Sequence, residues 1–407
     1  MLKYVSNTFV FEMAINTMLH RFAFSNFQSF RERTEVNWLL DGKVPEAVWS
    51  SRSASGERAS TVMALIGANA SGKTGLLSAL VFLRWFISDS FSLKPDMPLP
   101  FEPHALAGVN ESSEFELEGE WGGKLWRYVL SCTRAGVVSE ALYEKHERMR
   151  YVFVRTWNES KQDYDVKQRG FGMSPTEARK VRRNASLLAT AAQYGLELAI
   201  EWSRQQAWTN LSVWDVPSRW SSLYAAAGHF ATEDEHKRLA VNLLSKWDMG
   251  LEDVELLQVS SVESRDPLWW PQGVHTSKGR RFLLSFERES QGTQSAFVLL
   301  HRLLPALKAG GLAVIDEFEN DLHPHMLEPI LSLFADSRTN PHGAQLLFTC
   351  HAIEVLNILH KSQVMLVEKD EHNESTAWRL DSVEGIRSDD NFYAKYMAGA
   401  YGAVPQL

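Results

Sequence analysis

The chain has 407 residues, 44% hydrophobic and 23% charged, with a formal net charge of −8. This composition is typical of a globular protein with two or three domains, and its acidity excludes a protein that coats nucleic acid by overall charge alone. The two cysteines, Cys132 and Cys350, exclude a disulfide framework and favour a reducing, cytoplasmic location.

Near the N-terminus, the apolar stretch 9–15 is short and is interrupted by Glu12, so it predicts no signal peptide. No apolar run in the sequence reaches the roughly 18–20 residues that cross a bilayer, so we expect no association with a membrane.

The first 160 residues predict a lobe rich in strands. Leu19–Ser25 alternates apolar and polar residues, as a half-buried strand does, and 26–30 reads as a turn. Thr61–Ile66 is a short apolar run of the buried-strand type, and Gly75–Ser88 has apolar residues at helical spacing. Further strands are predicted at 114–120, 126–132, 137–143 and 150–157, the first two joined as a hairpin through Gly122 and Gly123.

Between the buried strand and the helix lies the sequence Gly-Ala-Asn-Ala-Ser-Gly-Lys-Thr, residues 67–74. It matches the pattern G-x-x-x-x-G-K-[ST] of a phosphate-binding loop, in which backbone N–H groups and a helix N-terminus face the phosphates. Lys73 is expected to reach the β- and γ-phosphates, and the Thr74 hydroxyl to bind Mg²⁺. The alternative is a chance match in a turn, which the flanking strand and helix argue against. The candidate nucleotide-contacting residues are Gly67, Asn69, Ala70, Ser71, Gly72, Lys73, Thr74 and Gly75.

After residue 160 the composition changes, and 174–260 reads as mainly helical and rich in tryptophan. We therefore predict three units: an N-terminal lobe at 1–160, an inserted, mainly helical subdomain at 161–275, and a C-terminal lobe at 276–407. The tryptophans of the insertion are either part of a core or an exposed docking surface. They are Trp202, Trp208, Trp214, Trp220 and Trp247.

An apolar strand at 312–315 ends in Asp316 and Glu317. This is the form of a Walker B motif, in which Asp316 would hold Mg²⁺ through water and Glu317 would polarise the attacking water as a general base. The alternative is an acidic strand end that faces solvent. Because Lys73 and Asp316 are 243 residues apart, a large insertion separates the two halves of the nucleotide site, which excludes a compact GTPase.

One helix before this strand, residues 290–293 read Ser-Gln-Gly-Thr. Ser290 could offer its hydroxyl to a γ-phosphate, while Gly292 and Thr293 could offer backbone N–H groups at the N-terminus of the helix predicted at 294–308. The alternative is an ordinary serine cap of that helix.

Two polar positions follow the strands of the same core. Asp321 lies in the loop 320–324, which could lie beside the phosphates and contact a partner or could simply be a polar turn stopped by Pro324. His351 follows the buried strand predicted at 345–349, where an imidazole could sense the γ-phosphate and orient water, or could have only a structural role.

Three charged clusters remain open to two interpretations each. The basic clusters at 179–183 and 278–281 could contact nucleic acid or an acidic partner, or could be a solvated helix face and strand edge. Glu368, Asp370 and Glu371 could belong to a metal-dependent nuclease or to an ordinary acidic surface.

Taken together, these motifs resemble the ABC-type ATPases of the RecF, OLD and structural-maintenance-of-chromosomes class. The nearest likeness is to prokaryotic AAA-family ATP/GTP-phosphatase-like proteins, which include the ATPases of abortive-infection and restriction-linked phage-defence operons. The resemblance is weak between about 160 and 275. It is carried by residues 26–30, 67–74, 100–103, 290–293, 315–319, 322–324, 349–351, 367–370, 386–387 and 396–405.

The resemblance implies an α/β fold: an ABC-type ATPase head with a mixed-sheet core around the phosphate loop and an antiparallel β subdomain. It also implies a homodimer in which two ATP molecules, each with Mg²⁺, lie between residues 67–74 of one subunit and 290–293 of the other. Glu317, His351 and Lys73 would be the catalytic residues of an ATP hydrolase. OLD-type members carry a C-terminal Toprim nuclease, and this chain departs from that pattern. Other members carry long coiled-coil arms, whereas this sequence shows no sustained heptad repeat.

We therefore expect a nucleotide-gated scaffold or sensor that switches a separate effector, a nuclease or a toxin, in antiphage defence. One alternative is a DNA-repair or DNA-end-binding ATPase of the RecF type, in which the basic cluster at 179–183 contacts DNA. Another is a toxic nuclease that uses the segment 160–275.

Overall fold

A computed structural model describes residues 17–205, 207–214, 218–247, 250–259 and 267–404. The stretch 9–15 and Pro405, the last residue of the tail resemblance, lie outside the described residues. The strands are β1 (Met18–Ser25), β2 (Thr34–Asn37), β3 (Ser50–Arg52), β4 (Arg58–Ser60), β5 (Val62–Ile66), β6 (Ser113–Trp121), β7 (Lys124–Thr133), β8 (Gly136–Lys145), β9 (Met149–Asn158), β10 (Asp163–Gln168), β11 (Ala207–Thr209), β12 (Asp253–Val259), β13 (Leu268–Ser277), β14 (Arg280–Ser285), β15 (Leu312–Ile315), β16 (Gln345–Thr349), β17 (Val364–Lys369) and β18 (Ser375–Arg379). The helices are α1 (Lys73–Asp89), α2 (Pro175–Arg179), α3 (Leu187–Gln193), α4 (Glu197–Ser203), α5 (Arg219–Thr232), α6 (Asp234–Lys246), α7 (Gln291–Ala309), α8 (Leu327–Leu331) and α9 (Phe392–Met397).

A seven-stranded sheet in the order β10-β9-β8-β7-β6-β1-β2 forms the antiparallel part of the fold. The predicted hairpin is confirmed as β6 and β7. It turns through Gly122 and Gly123, whose φ angles of 59° and 72° lie in the left-handed region that favours glycine.

A six-stranded mixed sheet in the order β11-β15-β16-β5-β17-β18 forms the core. All neighbouring pairs are parallel except β17 and β18. Every residue of β5, β15 and β16 is buried, which is why their sequences are continuous apolar runs. Because the carboxyl ends of parallel strands meet at one edge of a sheet, residues 67, 316 and 350 follow strands that end side by side. The predicted fold class, α/β with a mixed-sheet core and an antiparallel subdomain, is confirmed.

Helix α1 packs in a hydrophobic core that contains residues of both sheets, and most of its own residues are buried. With the short turn of helix that follows it, residues 73–92 are long and apolar enough to cross a membrane by length and composition alone, yet 67% of that apolar window is buried inside the protein. A core helix meets the same criterion, and the packing of α1 identifies it as one.

The predicted insertion, residues 161–275, is divided between the two halves of the fold. Strand β10 pairs with β9 in the antiparallel sheet, and β11 pairs in parallel with β15 in the core sheet. The antiparallel sheet β12-β13-β14 also crosses the predicted boundary at 275. The expectation that 174–260 is mainly helical is therefore wrong at β11 and β12, because pairing with distant strands decides the conformation of these short segments.

The tryptophans of this segment do not share one role. Trp202 is fully buried and packs edge-to-face on Trp121, with 4.2 Å between ring centroids. Trp214 is 47% exposed and makes an edge contact with Trp85. Trp208 packs over Gly311. The side chain of Trp220 lies outside the described part of the chain.

A fully buried ion pair joins the antiparallel sheet to the helices behind it. Glu140 accepts hydrogen bonds from Arg155 at 2.7 Å, from the Tyr128 hydroxyl at 2.8 Å, and from Ser186 Oγ at 2.8 Å. Both charged side chains have 0% exposure. Removing one member of such a pair leaves the other charge buried without compensation.

We expect Glu140→Ala to lower the free energy of unfolding by about 3–5 kcal/mol, measured by urea denaturation. The control is Glu147→Ala, because Glu147 lies in an exposed turn, and its effect should stay within about 0.5 kcal/mol. Equal effects of the two substitutions would contradict a stabilising role of the buried pair.

Candidate functional site

The loop between β5 and α1 adopts unusual backbone angles at two positions. Ala70 has a φ of 60° and Gly72 a φ of 109°. A Cβ on Gly67 would lie 2.0 Å from the carbonyl oxygen of Val367, so only glycine fits where this loop passes the neighbouring strand. The sequence-predicted loop therefore lies between strand and helix, as a phosphate-binding loop requires.

Backbone carbonyl groups of this loop hold the side chain of Lys73 in place. Its Nζ donates to the carbonyl oxygens of Gly67 and Ala68, both at 2.8 Å, and its side chain is buried. Burial lowers the pKa of the Lys73 ammonium, and the nearby Asp316 opposes this shift. The two acceptors are uncharged carbonyls, so phosphate oxygens are stronger partners for the same ammonium.

The predicted magnesium ligands lie together at the edge of the core sheet. Thr74 Oγ1 donates to Asp316 Oδ2 at 2.9 Å, although the two residues are 242 positions apart. The Asp316 carboxylate also accepts from Thr349 Oγ1 at 2.6 Å. A hydroxyl and a carboxylate are oxygen ligands of the kind that Mg²⁺ prefers, and with phosphate oxygens they fit the predicted ion.

Glu317 adopts a backbone conformation that is rare outside glycine. Its φ is 49°, and its N–H donates to Thr349 Oγ1 at 2.7 Å. Non-glycine residues in this region are strained and are concentrated at functional sites. In this conformation the backbone at Glu317 departs from the strand direction, and Glu317 lines a cavity together with Thr74 and Asp316.

The other predicted positions are found around this edge. His351 is exposed, and its N–H donates to Glu319 Oε1 at 2.5 Å. Asp321 has a φ of 61°, and its carboxylate accepts from Ser295 Oγ at 3.3 Å. The loop after β15 is thereby fixed both to β16 and to α7.

Ser290 caps α7. Its Oγ accepts from the N–H of Thr293 at 3.1 Å, and its hydroxyl lies 2.8 Å from Thr293 Oγ1. The capping alternative is thus correct as a description of the local hydrogen bond. It leaves a phosphate-binding role open, because Ser290 is exposed and lines a cavity of about 750 Å³.

Thr74 of the phosphate loop and the Ser290 segment of the same chain line different cavities. Ser290, Gly292 and Thr293 line the cavity of about 750 Å³. Thr74, Asp316 and Glu317 line a second cavity of about 380 Å³. Asp321 borders both. Neither of these two cavities therefore brings together the two halves of the predicted site.

Two residues of the site were missed by the sequence analysis. Asn210 clamps the backbone of Asp316, donating to its carbonyl at 2.7 Å and accepting from its N–H at 2.8 Å. Thr349 contacts both Asp316 and Glu317. Thr349 ends the predicted strand 345–349 beside His351, which is a usable signal. Asn210 follows a strand of only three residues inside a segment predicted as helical.

Several residues of the charged clusters that the sequence left open make contacts within the protein. Arg182 donates to the carbonyls of Leu93 and Phe91, both at 2.6 Å, and Arg183 stacks over Trp157 at 4.3 Å. Glu368 accepts from the N–H of Ala403 at 3.2 Å. Across the described ranges, no group of three or more His, Cys, Asp or Glu side chains is placed to hold a metal ion.

Several solved structures are similar to the chain at low identity. A head domain of Smc bound to the C-terminal winged-helix domain of ScpA has 12% identity and a TM-score of 0.46, covering 90% of this chain and 99% of that one. An Smc head with an extended coiled coil bound to the C-terminal domain of ScpA, from Pyrococcus furiosus, has 11% identity and a TM-score of 0.44, covering 90% and 97%. An Smc head with a coiled coil and joint, from Pyrococcus yayanosii, has 9% identity and a TM-score of 0.47, covering 94% and 99%.

No curated protein sequence gives a significant match to the chain. Residues 62–357 match the family described as "AAA domain, putative AbiEii toxin, Type IV TA system". This range contains the phosphate loop, the Ser290 segment, Asp316, Glu317 and His351. The predicted resemblance to AAA-family ATPases linked to abortive infection is thereby confirmed, and the chain belongs to this family of AAA domains.

Proposed function

We propose that the chain is a cytoplasmic, Mg²⁺-dependent ATP hydrolase whose active site is completed by a second copy of itself. The observation that carries this proposal is the separation of the two cavities. In one subunit, Thr74 and Asp316 face one cavity, and Ser290 and Gly292 face another. A head-to-tail pair of subunits would bring each Ser290 segment to the phosphate loop of the other, and two equivalent sites would result.

The residues of one subunit provide binding and positioning for the reaction. The N–H groups of residues 67–75 and the Lys73 ammonium bind the phosphates, and α1 adds the positive end of its dipole. Thr74 and Asp316 would hold Mg²⁺, which would supply charge neutralisation at the β- and γ-phosphates. Glu317 orients and polarises the attacking water, and Thr349 fixes the backbone that presents it. His351, which follows the adjacent strand, would sense the γ-phosphate.

The second subunit contributes donors at the γ-phosphate. The Ser290 hydroxyl and the backbone N–H groups at the start of α7, a helix of 19 residues, form an anion-binding end. Asp321 borders both cavities, so its loop lies at the expected junction of the subunits. ATP would close the dimer through these contacts, and loss of the γ-phosphate would open it.

We infer that this opening and closing switches a separate effector, a nuclease or a toxin, in antiphage defence. The support is the description of the family, which names a putative AbiEii toxin and a type IV toxin–antitoxin system. The DNA-repair alternative receives no support from the basic cluster at 179–183, because Arg182 and Arg183 are engaged in contacts within the protein.

Ser290→Asp separates capping from phosphate binding. Aspartate caps helices as well as serine does, but its charge would repel a γ-phosphate. We expect the variant to keep its thermal stability and ATP binding while losing ATP-dependent dimerisation, measured by light scattering on a sizing column. Ser290→Thr, which keeps the hydroxyl, should dimerise.

The matched control is Ser218→Asp. Ser218 caps α5 by accepting from the N–H of Ser221 at 3.2 Å, and it is exposed. This variant should dimerise with ATP as the wild type does. Dimerisation of Ser290→Asp at wild-type ATP concentrations would reduce Ser290 to a helix cap and contradict the proposal.

A further inference from the structure

The cavity of about 380 Å³ extends beyond the predicted magnesium site. Thr74 and Asp316 line one part of it, and Ser222 of α5 with Val298 and Arg302 of α7 line another. The nucleotide chemistry proposed above uses only the first part. The second part is lined by residues of α5 and α7.

Arg302 is a buried cation for which the described residues provide no counter-ion. It is 8% exposed, and its Nε is buried without a hydrogen-bond partner. Across the described ranges, no carboxylate forms an ion pair with it, Asp316 and Glu317 included. Burial lowers the pKa of Arg302, and among the described residues no neighbouring acid opposes that shift. Charges this deeply buried are normally paired, because an unpaired one is strongly destabilising.

We infer that this part of the cavity binds a small oxyanion of the phosphate class, with Arg302 as its principal ligand. A planar guanidinium presents paired N–H donors that match the oxygens of phosphate. Ser222 lines the same cavity and supplies a hydroxyl donor, whereas the Ser295 hydroxyl already donates to Asp321. The space is also large enough for one such anion with water.

The position of the site gives it a consequence for the dimer. Arg302 and Ser290 belong to the same helix and its cap, twelve residues or about 18 Å apart. An oxyanion at Arg302 would therefore contact the helix that carries the γ-phosphate donors and the loop that carries Glu317. The anion can come from the γ-phosphate cleaved at the other part of the cavity, which rests on the proposed function, or from phosphate in solution.

The first arm of the test uses no ATP. Inorganic phosphate is added to full-length protein in the Lys73→Met background, which removes the ammonium of the phosphate loop, with chloride at equal ionic strength as the reference. We expect phosphate at about 100 times its dissociation constant to raise the Tm by roughly 2–4 °C. The rise should be lost in Lys73→Met/Arg302→Met and kept in Lys73→Met/Arg238→Met, since Arg238 is exposed.

Without phosphate, Arg302→Met should melt no lower than wild type, because it removes an unpaired buried charge and keeps the apolar volume. This comparison shows that a lost phosphate response is not a folding defect. The inference would be overturned if phosphate raised the Tm equally in Lys73→Met and in Lys73→Met/Arg302→Met. It would also be overturned if phosphate raised the Tm of neither variant.

The second arm identifies the source of the anion. ATP cleavage is followed by acid quench, and phosphate release by a fluorescent phosphate sensor, in wild type and Arg302→Met. If the cleaved γ-phosphate occupies the site, release lags cleavage in wild type and the lag disappears in the variant. If release is simultaneous with cleavage in both while the first arm is positive, the site takes phosphate from solution. Failure of ATP cleavage itself would count against the proposed function, whereas the phosphate-dependent rise in Tm would still decide the inference about Arg302.

Discussion

Glu317→Gln is expected to bind ATP with near wild-type affinity and to lose at least about 100-fold in turnover, the lower end of what general-base catalysis contributes. The substitution keeps the size and shape of the side chain and removes only its basicity. Glu317 is positioned by a hydrogen bond from its own N–H to Thr349, which glutamine retains. Binding and chemistry should therefore separate, and ATP-bound dimers should accumulate.

Steady-state phosphate production and sizing with ATP measure these two effects. Glu328→Gln is the matched control, because Glu328 is an exposed residue of α8, and its turnover should equal that of wild type. Turnover of Glu317→Gln within about threefold of wild type would show that another group activates the water, since loss of a general base costs far more.

Local patterns were sufficient for most elements that carry the nucleotide motifs. Strand β16 has the predicted bounds 345–349, because a strand buried on both faces must be a short, unbroken apolar run. The loop 67–74 and the pair Asp316–Glu317 were predicted for a similar reason. Their chemistry needs particular residue types at fixed, short spacings.

Long-range contacts were not predictable in this way. Strand β11 has only three residues, and it is a strand because it pairs with β15, more than 100 positions away. Asn210 belongs to the site only because that pairing brings it to Asp316. The interpretation of Ser290 also needed the structure, because the same sequence pattern is expected for a helix cap and for a phosphate-binding segment. Only the position of Ser290 on a cavity separate from that of Thr74 favours completion by a second subunit.

Mixing two inactive variants tests that completion. Lys73→Ala removes the ammonium that the phosphate loop offers, and Ser290→Asp repels the γ-phosphate of the opposite subunit. Each variant alone should lose ATP hydrolysis by at least about 100-fold, because neither chain can form a complete site with a second copy of itself. A mixed dimer, however, has one site built from the intact phosphate loop of the Ser290→Asp chain and the intact Ser290 segment of the Lys73→Ala chain.

The rate of ATP hydrolysis by an equal mixture of Lys73→Ala and Ser290→Asp is the most direct measurement of subunit completion. We predict recovery to about one quarter of the wild-type rate if chains pair at random, because half of the dimers are then mixed and each has one complete site of two. The rate should be higher if Ser290→Asp chains do not pair with each other. As the control, the double variant Lys73→Ala/Ser290→Asp mixed with Ser290→Asp should give no recovery, because neither chain then carries an intact Ser290 segment. If the mixture of single variants is as inactive as its components, the site is not completed by a second subunit.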